Sequence, residues 1–327
     1  MTATAAPAAC LRPPLPPGRP MRELFGETLA ELAIEDPRIV VLDGDVGSST
    51  RADIFEKAHP TRYLQMGIAE QNMLGVAAGM STLGLVPFIS TFVAFSVVRP
   101  LDQVRVLIAQ PRSNVKITPS YAGLFTGQTG MSHIIVDDLS IMRSLPNMVC
   151  VAPADHVEAA LVLRWAAGYD GPCYVRLGRD ATAQLFDERH RFEFGRAVTL
   201  RSGHDVSLVS TGAQTPRTLE AAELLAASGI DAGVLHVATV KPLDVGALVE
   251  VATRTDHVIT VEEHTILGGL GGAVAEALSE HRPTRVDRIG LRDVDVESGA
   301  NADLLDIYGL SAQRVAEQVR ALVHQRR

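Results

Sequence analysis

The sequence predicts an α/β protein made of two parallel-sheet domains, and three observations carry that prediction. Short apolar runs alternate with longer stretches of helical period along almost the whole chain. The alternation breaks once, over the polar stretch 181–196, and then restarts. The length of 327 residues suits two domains of ordinary size.

The chain opens on a proline- and alanine-rich segment, 1–20, with neither a basic start nor a continuous apolar stretch. It reads as a disordered tail rather than a secretory leader. Met21 opens the folded part. Residues 22–34 read as a helix, with Leu24, Phe25, Leu29, Leu32 and Ala33 apolar and Pro37 just beyond its end. Strands follow at 39–42 and 62–66. The run Gly67-Ile68-Ala69-Glu70-Gln71-Asn72-Met73 then opens an apolar helix whose Gly75 and Gly79 allow another surface to come close. Further strands are expected at 86–90, 115–118, 148–152 and 173–177, and helices at 100–109 and 156–167.

These elements make a first domain over 21–180, joined by the linker 181–196 to a second over 197–327. The second domain predicts strands 206–210, 232–237, 257–261 and 286–290. Its helices fall at 216–227, capped by Gly229, and at 245–253, 272–280 and 312–323. Gly268-Gly269-Leu270-Gly271-Gly272 partly matches a dinucleotide fingerprint, but Val274 stands where the third glycine belongs. It reads as a tight strand-to-helix turn.

Composition excludes several functions. Hydrophobic content of 46% and charged content of 21% fit a soluble globular chain. A net charge of −8 without a basic cluster argues against nucleic-acid binding. No apolar run approaches the roughly 20 residues of a membrane span. Cys10, Cys150 and Cys173 show neither metal spacing nor a paired framework, so a reducing cytoplasm is the expected location.

Glu70 is the most informative residue. A carboxylate at the start of a close-packed apolar helix is costly unless it has a partner. Taken alone it also suits a first-turn glutamate that favours the helix dipole. Phe92 and Phe95, three apart, share a face if their segment is helical, as a binding platform or as core.

Five stretches in order resemble the C-terminal half of the transketolase family. They are Met21-Arg22-Glu23-Leu24-Phe25-Gly26, Asp43-Gly44-Asp45, the run from Gly67 to Met73 quoted above, Pro87-Phe88-Ile89-Ser90-Thr91-Phe92-Val93-Ala94-Phe95, and Gly171-Pro172-Cys173-Tyr174-Val175-Arg176-Leu177-Gly178-Arg179. The resemblance runs from about Met21 to the C-terminus and implies a pyrimidine-binding domain followed by a transketolase C-terminal domain. It implies thiamine diphosphate as cofactor, with Glu70 as the carboxylate that favours the imino tautomer of its pyrimidine. Phe92, Phe95, Asp45 and Ile68 would complete the cofactor side. Arg22, Ser49 and Arg179 would bind a substrate phosphate, while Arg176 is read as facing the other side of its strand. His133 would contact the substrate near its reacting carbons.

The sequence departs from the family on the substrate side. Gln128 and Thr129 stand in place of an acidic pair, Tyr121 in place of a histidine, Asp137 in place of a glutamate and Val98 in place of a third aromatic. The family's Gly-Asp-Gly motif for the diphosphate and its divalent metal is absent, since Asp43-Gly44-Asp45 has the wrong order. No metal ligands are therefore expected in this chain. A separate subunit is expected to hold the diphosphate and Mg2+ or another divalent cation, in an α2β2 assembly. The resemblance implies two-carbon ketol transfer from a ketose phosphate. The alternative is a pyruvate dehydrogenase-type or two-carbon loading subunit that passes the adduct to a lipoyl or carrier-protein thiol. His264 is read as structural or peripheral and the second domain as a dimerisation element.

Overall fold

The computed structural model describes residues 14–325. In chain order its strands are β1 (Pro17–Pro20), β2 (Ile39–Asp43), β3 (Tyr63–Gln65), β4 (Val86–Ser90), β5 (Lys116–Ile117), β6 (Val149–Val151), β7 (Cys173–Val175), β8 (Ala181–Ala183), β9 (Val198–Arg201), β10 (Val206–Ser210), β11 (Ala232–His236), β12 (Thr239–Lys241), β13 (Val258–Thr265) and β14 (Val286–Leu291).

The first domain is a seven-stranded sheet in the order β12-β6-β7-β5-β4-β2-β3. Strands β2 and β4 are buried at every position, which explains why they read as unbroken apolar runs rather than as alternation. Phe25 and Leu29 of the helix Met21–Glu35 pack on one face with Val162 and Leu163 of the helix His156–Gly168. The other face is covered by Met73, Leu74 and Ala77 of the helix Glu70–Thr82.

The second domain is a five-stranded sheet in the order β14-β13-β10-β11-β9. Leu208, Ile259, Leu219 and Val315 belong to one of its cores, and Leu235, Leu248 and Val274 to another. Both predicted α/β domains are thus present. Each sheet is parallel apart from one edge strand, β12 against β6 and β9 against β11.

Three features differ from the sequence reading. The expected disordered tail is corrected at its end, where β1 pairs antiparallel with β8, Leu15 packs against the second core and Arg19 pairs with Glu27. Residues 1–13 of that expectation, Cys10 included, lie outside the described residues. The linker is tied down: the Leu185 and Phe186 N–H groups donate to Asp155 Oδ2, and Gly195 N–H to Thr239 Oγ1. The expected helix 100–109 is a short α-turn, Leu101–Gln103, running into a π-helical turn, Val104–Ala109. Among the described residues no helix is long and apolar enough to cross a membrane.

The first sheet determines where a site can form. Strand β2 has β3 on one side and β4 on the other, so the chain changes direction there. In open parallel sheets such a switch point leaves a crevice beyond the carboxyl ends of the strands. The segments that leave β2, β3, β4, β5 and β7 at this edge carry Ser49, Glu70, Phe92, Tyr121 and Arg179, in that order.

Candidate active site

Glu70 is the first residue of the helix Glu70–Thr82 and its side chain is fully buried. The chain reaches it through Gly67, which takes a positive φ of 70° and donates its N–H to Gln65 Oε1. Glu70 Oε2 accepts a hydrogen bond from Arg99 at 2.7 Å, whereas Glu70 Oε1 is buried and accepts none among the described residues. A bare oxygen on a buried carboxylate is expensive, which marks it as an acceptor for a donor that the described residues do not supply.

From Glu70 a continuous strip of rings leads away. Arg99 lies over the Phe95 ring, 4.7 Å from its centre. Phe95 and Phe92 are 5.8 Å apart, and Phe92 stacks on Tyr121 at 4.0 Å. The His133 ring lies 5.2 Å from Phe95 and 5.8 Å from Phe92, so all four expected residues of this region meet. Phe92 precedes the short helix Val93–Val97 and Phe95 lies within it, which gives the shared face.

The strip ends at two arginines. Arg22 donates to the Tyr121 hydroxyl at 3.2 Å and to the Ser49 carbonyl at 2.7 Å. The guanidinium groups of Arg22 and Arg179 sit 5.7 and 5.3 Å from the Tyr121 ring centre. The Nε groups of both are buried and find no acceptor among the described residues. Two half-buried cations with unused donors around one phenol have the chemistry to hold an anion. The hydrogen bond to Tyr121 and the nearby Asp180 carboxylate hold the Arg179 pKa above its usual value. Ser49 contributes its carbonyl to Arg22.

The remaining candidates sit at the rim. Asp45 is exposed, with φ of 67°, and accepts from Gln65 Nε2 at 3.2 Å. Ile68 is 74% exposed beside Glu70. Gln128 and Thr129 are exposed on the turn Gly123–Thr129, where Thr129 Oγ1 donates back to the Thr126 carbonyl at 2.6 Å. Arg176 is buried away from this site, with Nε donating to Asp138 Oδ2 at 2.7 Å. His264 is buried and structural: Nε2 accepts from Leu139 N–H at 3.1 Å, and burial lowers its pKa to about 4.

Sequence reasoning missed two residues here. Arg99 shows no pattern of its own, and its partner is 29 residues away. Asn301, in the second domain, bonds Gly127 N–H, the Phe125 carbonyl and Asp180 Oδ2, and so ties the turn Gly123–Thr129 to the segment after Arg179. Among the described residues no group of His, Cys, Asp and Glu could hold a metal ion.

Two family models match the chain: the transketolase pyrimidine-binding domain over residues 18–184 and the transketolase C-terminal domain over 195–315. A putative transketolase C-terminal section from Methanocaldococcus jannaschii is 41% identical over 91% of this chain and 95% of its own length. A 6-deoxy-6-sulfo-D-fructose transketolase subunit from Clostridium sp. strain MSTE9 is 38% identical over 90% of this chain and 92% of its own length. The solved structure of a split-gene transketolase, an inactive β4 tetramer, superimposes with a TM-score of 0.86 at 44% identity, covering 95% of this chain and all of that one.

Proposed function

The chain belongs to the transketolase family, and from that premise we propose that it is the C-terminal (β) subunit of a split transketolase that moves a two-carbon ketol unit. The observation that carries this reading is the fully buried Glu70, whose bare Oε1 stands at one end of an aromatic strip that leads to Arg22 and Arg179.

The residues fit thiamine diphosphate. Glu70 Oε1 would take a hydrogen bond from a ring nitrogen of the pyrimidine, and Phe92 and Phe95 would wall that ring with aromatic surface. When bound, the cofactor supplies a nucleophilic carbon that adds to a ketose carbonyl. This chain's own part is to hold a proton at Glu70, to exclude water with Phe92 and Phe95, and to orient the substrate. His133 faces both phenylalanines and is placed to donate to a substrate oxygen near the reacting carbons. Arg22, Tyr121 and Arg179 hold the terminal anion of the donor, which we read as a phosphate. A sulfonate, as in the name of the clostridial relative, would carry one charge fewer. Asp45 and Ile68 belong to the rim that meets the rest of the cofactor, and Gln128 and Thr129 to the acceptor entrance.

A second subunit would supply the diphosphate and divalent-metal site, giving an α2β2 assembly. The two free cysteines among the described residues, Cys150 and Cys173, are buried, which suits a reducing cytoplasm. The alternative of a lipoyl or carrier-thiol acceptor finds no support in the relatives.

The test is co-expression with a subunit that carries the Gly-Asp-Gly and asparagine pattern, followed by assay of ketose phosphates with aldose acceptors. Glu70→Gln is expected to lower kcat by about 10²- to 10⁴-fold, the usual contribution of a proton-handling group. Wild-type activity in that variant, or no cofactor binding by the assembly, would overturn the reading.

A further inference from the structure

Among the described residues Arg99 is the one cation bonded to Glu70, and Arg99 is itself tied at both ends. Its guanidinium donates to Glu70 Oε2 at 2.7 Å, while its backbone carbonyl accepts from Gln71 Nε2 at 3.3 Å. The guanidinium also lies on Phe95 at 4.7 Å, which restricts its plane. The exposure is asymmetric: Arg99 is 45% exposed and Glu70 0%.

Two consequences follow from this geometry. An unrestrained carboxylate can turn about its terminal bond, but holding Oε2 fixes the direction in which Oε1 presents its lone pairs. The oxygen that Arg99 leaves bare is the buried one without a partner. Arg99 also offers a countercharge to a carboxylate that burial would otherwise penalise.

We propose that Arg99 is the positioning residue for Glu70: it pins Oε2 so that Oε1 is aimed at the cofactor's pyrimidine nitrogen, and it stays in place when the cofactor binds. The opposite arrangement is a plug, in which the guanidinium occupies the place of the planar pyrimidine and must leave. The two differ in sign. A pin that is removed weakens cofactor binding, whereas a plug that is removed strengthens it.

The inference rests on the proposed function, and the experiment separates their failures. The co-expressed assembly is titrated with thiamine diphosphate in the presence of Mg2+, and the dissociation constant is read from protein fluorescence or calorimetry. Arg99→Met is expected to weaken binding about tenfold, in keeping with the loss of a charge-assisted bond to a partner residue. Arg99→Lys, which keeps the charge but not the planar fork, should lose less. In a Glu70→Ala background, Arg99→Met should change the constant by less than about twofold, because the pin then has nothing to hold. Unchanged or tighter binding by Arg99→Met overturns the proposal, as does an equal loss in both backgrounds. Failure of the wild-type assembly to bind the cofactor overturns the proposed function and this inference with it.

Discussion

Tyr121 takes a left-handed backbone conformation, with φ of 73°, although it is a buried aromatic residue. Such a conformation costs about 1–3 kcal/mol and persists only where its surroundings impose it. Here Ser120 N–H donates to the Thr91 carbonyl and Ala122 N–H to the Leu177 carbonyl, so neighbouring strand ends clamp the residue on both sides. The strain turns the phenol onto Phe92 and beneath Arg22 and Arg179. If those cations hold a terminal anion, Arg179→Met should raise KM for a ketose phosphate by about 10- to 100-fold, the equivalent of one charged hydrogen bond of 1.5–3 kcal/mol. The penalty should vanish for a ketose with no terminal anion. Steady-state kinetics with the two donors check this, and an equal penalty for both would remove the anion site from this position.

At the scale of elements, the two domains are clasped by a buried carboxylate. Glu158, on the helix His156–Gly168, accepts from Ala154 N–H at 2.7 Å and faces His236 at the end of β11 at 2.8 Å and His190 of the linker at 3.3 Å. Burial pushes its pKa up, but His236, His190 and the backbone bond outweigh that and hold it at about 2. The folded pKa lies below the ordinary carboxylate value of 4.5, so the stabilisation is present above pH 4.5 and fades as pH falls toward 2. A separation of this size is worth on the order of 3 kcal/mol. Glu158→Gln should lower stability at pH 7, and the gap between wild type and variant in urea unfolding should close between pH 4.5 and 2. A constant gap would show that the clasp does not titrate. This clasp was not legible in the sequence, whereas the helix that carries it was, because a long apolar period is a local signal and a histidine 78 residues away is not. The same contrast runs through the fold. Strands β2, β4, β10 and β11 are uniformly buried and announced themselves as apolar runs. Strand β12 has three residues and lies within the second domain in sequence, yet it completes the first sheet beside β6, a long-range pairing with no periodic trace. In the site, Glu70, Phe92, Phe95 and the outer arginines were legible from the order of five motifs. Arg99 and Asn301 act through contacts that only the folded chain creates.

At the scale of the whole molecule, the candidate site lies along an exposed edge, with Arg99 and Ile68 open to solvent beside Glu70. Two cavities of about 450 Å³ each are lined by residues around Arg217 and around Thr265, and neither is lined by Glu70. Apolar side chains near the Glu70 strip face outward: Val98 is 54% exposed and Leu107 40%. On the helix Glu70–Thr82, a Cβ added at Gly79 would meet nothing within 4 Å, and one at Gly75 only Leu107, at 4.0 Å. Among the described residues these glycines therefore leave the helix surface open to close approach. On the proposed assembly this edge would be covered by the subunit that brings the diphosphate site. Burying one such side chain contributes about 1.5–3 kcal/mol, and a carboxylate in its place adds an unpaired charge to the interface. Leu107→Asp and Val98→Asp should each weaken association with the partner at least about tenfold in analytical ultracentrifugation. The circular dichroism of the isolated chain should not change, since both side chains already face water. Cofactor binding should fall with association, because Glu70 alone offers thiamine diphosphate a hydrogen bond but no place for its charged tail. Unchanged association in both variants would place the partner on a different face and leave this edge without the cover that the chemistry of Glu70 requires.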